Sequence, residues 1–428
     1  MGETGQGHAA HGGRPLGDLV DRAIVTAVQA HAGGEPTTQV VTRLANTLSF
    51  PDWPTVVNKR LCEMLVQQLD LTLGQGWEPR DLPPFVRRKA GGASASLVEG
   101  LLGEAVQRHA AHPSEAERWS AQAADLAGSG DRLFDGPDGD WYEQLGAGVG
   151  ALAAVYHAPA LPRLGGATPT SPGRGSSVDP RLLDKVRALL AKAEATNFAE
   201  EADAFLAKAQ ELMTRHNLDR AALEGASTLG SPSAAARRFW LDDPYMKQKS
   251  YLLGVVAGVN RCRPISSYEL GMVTVFGHPD DLDVTEILFT ALALHATRQM
   301  LLPLQQHGRD RGPERPGGQG EGDDPGPLAA HQRASRPAYR RSFLLSYANR
   351  IGHRLREATA AATAAAVKDS SDALLPVLAS RERNAEDALH RTFPSTRQTT
   401  FSASDGAGWA AGRAAADLAD LTLHRRLA

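Results

Sequence analysis

The sequence predicts a mostly α-helical protein: a helical N-terminal domain, a helical hairpin, and a C-terminal α+β domain with a small β-hairpin sheet. Three observations carry this reading. Apolar residues recur at three- and four-residue intervals through most of the chain, the period of one face of a helix. Two Pro/Gly-rich stretches, 159–178 and 305–330, interrupt that pattern. Only around 265–276 does the texture turn β-branched, the composition of strands.

Residues 1–15 are rich in Gly and His and are expected to form a disordered tail. The all-helical domain is predicted over 16–158. Its first helix covers 18–30, packed through Leu19, Ile24 and Val28, and its second covers 37–48. A third stripe runs through Trp53, Val57, Leu61, Met64, Leu65 and Leu69 until Gly74-Gln-Gly-Trp77 breaks it. A short helix entered through prolines is expected at 81–88, because a proline in the first turn gives up only an N–H that has no partner there. Helices at 97–111, 114–126 and 141–156 complete the domain. The segment 159–178, PALPRLGGATPTSPGRGSSV, has the composition of a linker.

The clearest local signal lies at 179–219. Asp179 is an N-cap with Pro180 at the first helical position. Leu182, Leu183, Val186, Leu189, Leu190 and Ala193 then form one stripe. Asn197 and Glu200 have capping-box spacing, and Phe198, Ala202, Phe205, Ala209, Leu212 and Met213 form a second stripe. The few residues between the helices make them neighbours in a hairpin too small to be stable alone, so it is expected to dock on the domain from 239 onward.

In that α+β domain, predicted over 239–423, a helix at 247–260 precedes strands at 265–268 and 271–276, turned at Glu269-Leu270-Gly271. A long helix at 283–301 follows, and 305–330 is expected to be a disordered insertion. A helix at 339–357, extending through an alanine-rich run, places Phe343, Leu344, Tyr347, Ile351 and Leu355 inward. A further helix at 374–389 is interrupted by Pro376, 391–401 is extended, and 405–418 is a helix whose Gly and Ala positions allow close packing.

The segment from Leu183 to Met213, with its run of L-x-K-V-x-x-L-L-x-K-A-E-x-T-N-F-x-E-E-A, resembles the DUF2786 family. The part over 239–423 is similar to a companion domain that follows it in such proteins, through FGHPDDLDVTEILFTAL, SFLLSYANRIGHRL and DGAGWAAGRAA. The resemblance implies a bacterial source, actinobacterial in particular, or a phage; it brings no activity and no catalytic residue.

Several function classes find no support. Lys and Arg number 46 against 49 Asp and Glu, a net charge of −3, which argues against a wholesale cationic nucleic-acid binder and leaves room for a local basic face. Cys62 and Cys262 stand far apart in sequence, without the spacing of a disulfide framework or a cysteine-rich zinc site. The N-terminus lacks the basic start and apolar core of a secretory signal, and no run is long enough to span a bilayer, so a cytoplasmic protein without membrane contact is expected. The glycines do not form a phosphate-binding loop, the serines form no nucleophile elbow, and no cofactor is implied.

One charged feature stands out. From 333 to 356 the chain carries Arg333, Arg336, Arg340, Arg341, Arg350, Arg354 and Arg356 and no Asp or Glu. Arg336, Arg340, Arg341, Arg350 and Arg354 are therefore the candidate binding residues, for nucleic acid or an acidic protein partner. The bland alternative is a solvated face neutralised by acids such as Glu357 or Glu382. His278, Asp280, Asp281 and Asp283 form the densest group of potential metal ligands, but capping and the dipole of the helix that begins there explain these carboxylates without an ion. Tyr339, Tyr347, Trp240 and Tyr245 are the aromatics considered for base stacking, with Tyr347 at a core position. The reading is a non-catalytic binding or adaptor module. The alternatives are a hydrolase or nuclease with an unrecognised site, and a purely structural or regulatory helical protein.

Overall fold

The structure is a computed structural model that describes residues 16–48, 50, 52–109, 113–127, 141–164, 234–309, 337–369 and 374–418, with isolated residues between 185 and 221. The chain divides into two compact units, Met1–Arg163 and Leu164–Ala428.

The first unit is helical throughout its described residues: α1 (Leu16–Ala32), α2 (Thr37–Thr47), α3 (Trp53–Gly74), a 3-10 turn (Pro79–Asp81), α4 (Leu82–Ala90), α5 (Gly92–Arg108), α6 (Pro113–Ala127) and α7 (Trp141–Tyr156). Helix α7 is apolar on all sides and every residue from Leu145 to Val155 is buried, as expected of a helix at the centre of a bundle. It touches α1, α2, α3, α4 and α5. Its small residues let the neighbours close in: a Cβ at Gly146 would stand 2.9 Å from Thr37 Cγ2. In α1 the inward residues are Val20, Ile24, Ala27 and Val28; Leu19, expected inward, is exposed because the stripe is one residue out of register with it. Residues 159–163, read as the start of a linker, lie against the bundle. Trp77 is fully buried and donates its indole N–H to Pro159 O at 2.8 Å, and Leu161 N donates to Gln75 O at 2.9 Å. Gly76 has φ +92°, and a Cβ there would stand 2.1 Å from Leu161 O.

The second unit contains β1 (Ala235–Trp240), α8 (Met246–Val259), β2 (Arg263–Ser267), β3 (Met272–Gly277), α9 (Pro279–Arg309), α10 (Pro337–Asp369), α11 (Leu374–Thr392) and α12 (Gly406–Leu418). The strands form one antiparallel sheet in the order β1-β3-β2. The expected hairpin is β2–β3, with Ile265 opposite Thr274, and β1 adds a third strand with Ala235 opposite Gly277. That strand escapes a sequence reading because it begins AARR, where arginines and alanines replace β-formers, and because its pairing is long-range. Central β3 is buried at every position, while β2 carries Pro264 at an edge, where a missing N–H costs no ladder bond. Pro376 falls in the first turn of α11 and leaves the helix uninterrupted.

Helix α12 lies directly on α10. A Cβ at Gly408 would stand 2.3 Å from Tyr339 O, and one at Gly412 would stand 2.1 Å from Phe343 O. Both pairs advance by four residues in the same direction, so the two helices run parallel with backbones in contact. The small residues of 405–418 thus have the packing role their composition indicates.

Most of the hairpin at 179–219 and residues 310–330 lie outside the described residues; 305–309, expected to begin a disordered insertion, are instead the last residues of α9. The described residues of the hairpin are helical, and they belong to the second unit. Leu189 and Leu212 pack against its main core, while Leu218 and Ala221 are buried with Leu374 and Leu378 at the start of α11.

Candidate functional site

Two charged regions of the second unit are candidates: a buried ionic cluster at the start of α9, and the arginine-bearing helix α10.

The cluster begins with the way α8 ends. Cys262 N donates to Ala257 O at 2.9 Å and Arg261 N to Gly258 O at 3.3 Å, the two bonds of a Schellman ending. The left-handed residue is Arg261, with φ +59°, where glycine is usual. The chain turns there and lays the Arg261 guanidinium on Asp281, 2.5 Å between NH2 and Oδ1. Arg381 approaches from the other side: NH2 is 3.7 Å from Asp280 Oδ2 and NH1 is 3.9 Å from Asp281 Oδ2. Arg381 is 1% exposed and both aspartates are 0% exposed. Asp280 N–H donates to His278 Nδ1 at 3.3 Å, and Thr285 Oγ1 donates to Asp281 O at 2.7 Å. Nearby, Arg263 on β2 pairs with Glu382 and Glu386 of α11, and Arg237 on β1 pairs with Asp283 and Glu286 of α9.

Helix α9 begins at Pro279, so Asp280 and Asp281 are first-turn residues whose carboxylates lie against arginines. The helix dipole favours them there, but capping does not exhaust their role. Among the described residues, no group of three or more His, Cys, Asp or Glu side chains is placed to hold a metal ion. The cluster joins α8, α9 and α11 and is a fastening between elements. Sequence reasoning missed Arg381, although the signal was present: Leu374, Leu378, Arg381, Ala385 and Ala388 form one inward stripe with a guanidinium in its middle. An arginine at such a position requires buried carboxylates.

The arginines of α10 divide into two groups. Arg350 pairs with Asp417, and Arg354 donates to Ala416 O and, at 3.2 Å, to Asp417 O. These two therefore hold the C-terminal end of α12, whose last carbonyls lack partners within their own helix. Arg341 is exposed, its Nε donating to Pro337 O at 3.3 Å, and Arg340 is half-buried one residue earlier. Arg336 lies outside the described residues. Of the acids proposed to neutralise this face, Glu382 pairs with Arg263 of β2, and Glu357 lies on α10 itself, exposed, 3.3 Å from His353 Nδ1. Of the aromatics considered for stacking, Tyr339 and Tyr347 are buried and Tyr245 packs on the core.

Three other reactive groups are held inert. Burial pushes the Cys62 thiol up to about 11 and raises that of Cys262 further; both are free thiols. His295 faces Tyr347, with Nδ1 2.7 Å from the phenol oxygen, and burial, helped by Arg298, lowers its pKa to about 4. An unfolded histidine protonates near pH 6.5, so between the two values the unfolded chain binds the extra proton. Stability is expected to be full above about pH 6.5 and to fall by about 3 kcal/mol as pH drops to 4. Denaturant titrations across that range check this, and His295→Gln should flatten the dependence.

The fold is thus that of a mostly helical protein with a small three-stranded sheet, fastened by buried arginine–aspartate pairs. Residues 181–220 match a family model described as "Protein of unknown function (DUF2786)". The matched residues end at 220, and no family match stands behind the likeness of 239–423 to a companion domain. No curated protein and no solved structure matches the chain. Among the described residues, no helix is long and apolar enough to cross a membrane.

Proposed function

We propose that the protein is a non-catalytic binding or adaptor module that contacts nucleic acid or an acidic partner through the N-terminal half of α10. Arg341 is the exposed arginine of this half, with Arg340 next to it and Arg336 just before it in sequence; Arg350 and Arg354 hold the end of α12. The observation that carries this reading is the exposed Arg341 on a stretch with no acid from 333 to 356, while Glu382 is paired with Arg263. The buried cluster supports it from the other side, because its carboxylates face arginines in a dry interior.

The test is binding of the purified chain to single- and double-stranded DNA and RNA across a salt series. Phosphate contacts release counterions, so affinity should fall steeply as salt rises, and Arg341→Ala should reduce the log–log slope by about 0.7 to 0.9. Absence of binding at low salt would sink the nucleic-acid reading.

A further inference from the structure

A segment beside this face has features that the arginine helix alone does not explain. Between α11 and α12 the chain runs from 393 to 405 without helix or strand, and every residue from 394 to 400 is exposed. It is held at both ends. Phe393 meets Phe276 with ring centroids 6.1 Å apart, and Phe401 meets Tyr251 at 5.0 Å. Ser342 Oγ then accepts from Ser404 N at 3.2 Å and Asp405 N at 3.0 Å, and Asp405 Oδ1 accepts from Gly408 N at 2.7 Å. Ser342 follows Arg341 in α10, so the end of the strap is anchored to that helix.

Its chemistry is that of a phosphate-contacting surface. No Asp or Glu occurs from 388 to 404, Arg391 and Arg397 are exposed, and Ser395, Thr396, Thr399, Thr400 and Ser402 offer hydroxyl donors on an extended backbone. Backbone N–H groups, hydroxyls and arginines are the usual partners of phosphodiester oxygens. One turn into α12, Trp409 is 38% exposed. Gly408 and Gly412 face α10, so Trp409 is turned outward, and its indole is not consumed by the helix packing. An exposed indole a few residues along the chain from a non-helical, acid-free segment bearing an arginine and hydroxyls is a pairing that single-stranded nucleic acid exploits, because every unpaired base offers a face to stack on.

We infer that residues 394–404 and Trp409 bind single-stranded nucleic acid, the strap following the phosphodiester backbone and the indole stacking on a base. This rests on the reading of α10 as a nucleic-acid contact and extends it to a strand type and a second set of residues. The experiment uses the full chain, labelled oligothymidylate and the corresponding duplex, with binding followed by anisotropy across a salt series. The single strand is expected to bind more tightly than the duplex. Trp409→Ala should weaken it about tenfold while Trp409→Phe retains most of the affinity, and Arg397→Ala should lower the salt slope by about 0.7. Circular dichroism of each variant confirms that the fold is kept. If the wild-type chain binds but Trp409→Ala and Arg397→Ala bind equally well, or the duplex is preferred, this inference falls and the α10 reading stands. Absence of wild-type binding to either strand form overturns this inference together with the nucleic-acid form of the α10 reading.

Discussion

Gly412→Ala is expected to lower the stability of the C-terminal unit by about 3 kcal/mol, at the upper end of what overpacking costs, with Gly408→Ala close behind. The added methyl carbon at Gly412 would stand 2.1 Å from Phe343 O, and its neighbours at that spot are backbone atoms of α10, which cannot swing aside as a side chain does. Accommodation requires the two helices to separate. Separation would also draw the last turn of α12 away from Arg350 and Arg354, so the loss extends beyond the point of contact. Gly406→Ala, with nothing within 4 Å of its Cβ, is the control and should change stability little. Denaturant unfolding followed in the C-terminal unit measures both; an unaltered midpoint for Gly412→Ala would refute the close parallel packing.

The second large effect is expected at Asp281. Replacing it by alanine removes the carboxylate that pairs with Arg261 and leaves buried Arg381 one of its two aspartates, Asp280, and breaking such a buried pair typically costs about 3–5 kcal/mol. Asp281→Asn separates two explanations. Asp281 lies in the first turn, so a role confined to the helix dipole predicts that asparagine costs no more than about 1 kcal/mol. Charge compensation predicts a loss approaching that of alanine. By contrast, Arg413→Ala removes an exposed partner 4.0 Å from Asp417 and should have little effect, since solvent screens such a pair.

The difference between these sites shows where local pattern carries information. Phe343, Leu344, Tyr347, Ile351 and Leu355 are legible as the buried face of α10 from spacing alone, and all five are buried. The strands β2 and β3 are legible because β-branched residues and a short turn occur together. Strand β1 is not, since Arg237 and Arg238 sit in a sheet only because α9 supplies Asp283 and Glu286 to Arg237 across the fold. The binding face is legible only as a list of arginines. Which of them point outward depends on the position of α12, an element more than fifty residues further along the chain.

By itself, the sequence determined the helical periodicity, the positions of most element boundaries, the β2–β3 hairpin and the presence of an acid-free arginine run, because each is encoded in residues a few positions apart. Only the tertiary structure decided that Arg350 and Arg354 hold a neighbouring helix while Arg341 is left to solvent, that Arg381 finds two buried aspartates, and that an exposed strap ends against Ser342. The physical reason is that a charge has no fixed role until its surroundings set its dielectric and its partner. Those surroundings are assembled from segments distant in the chain.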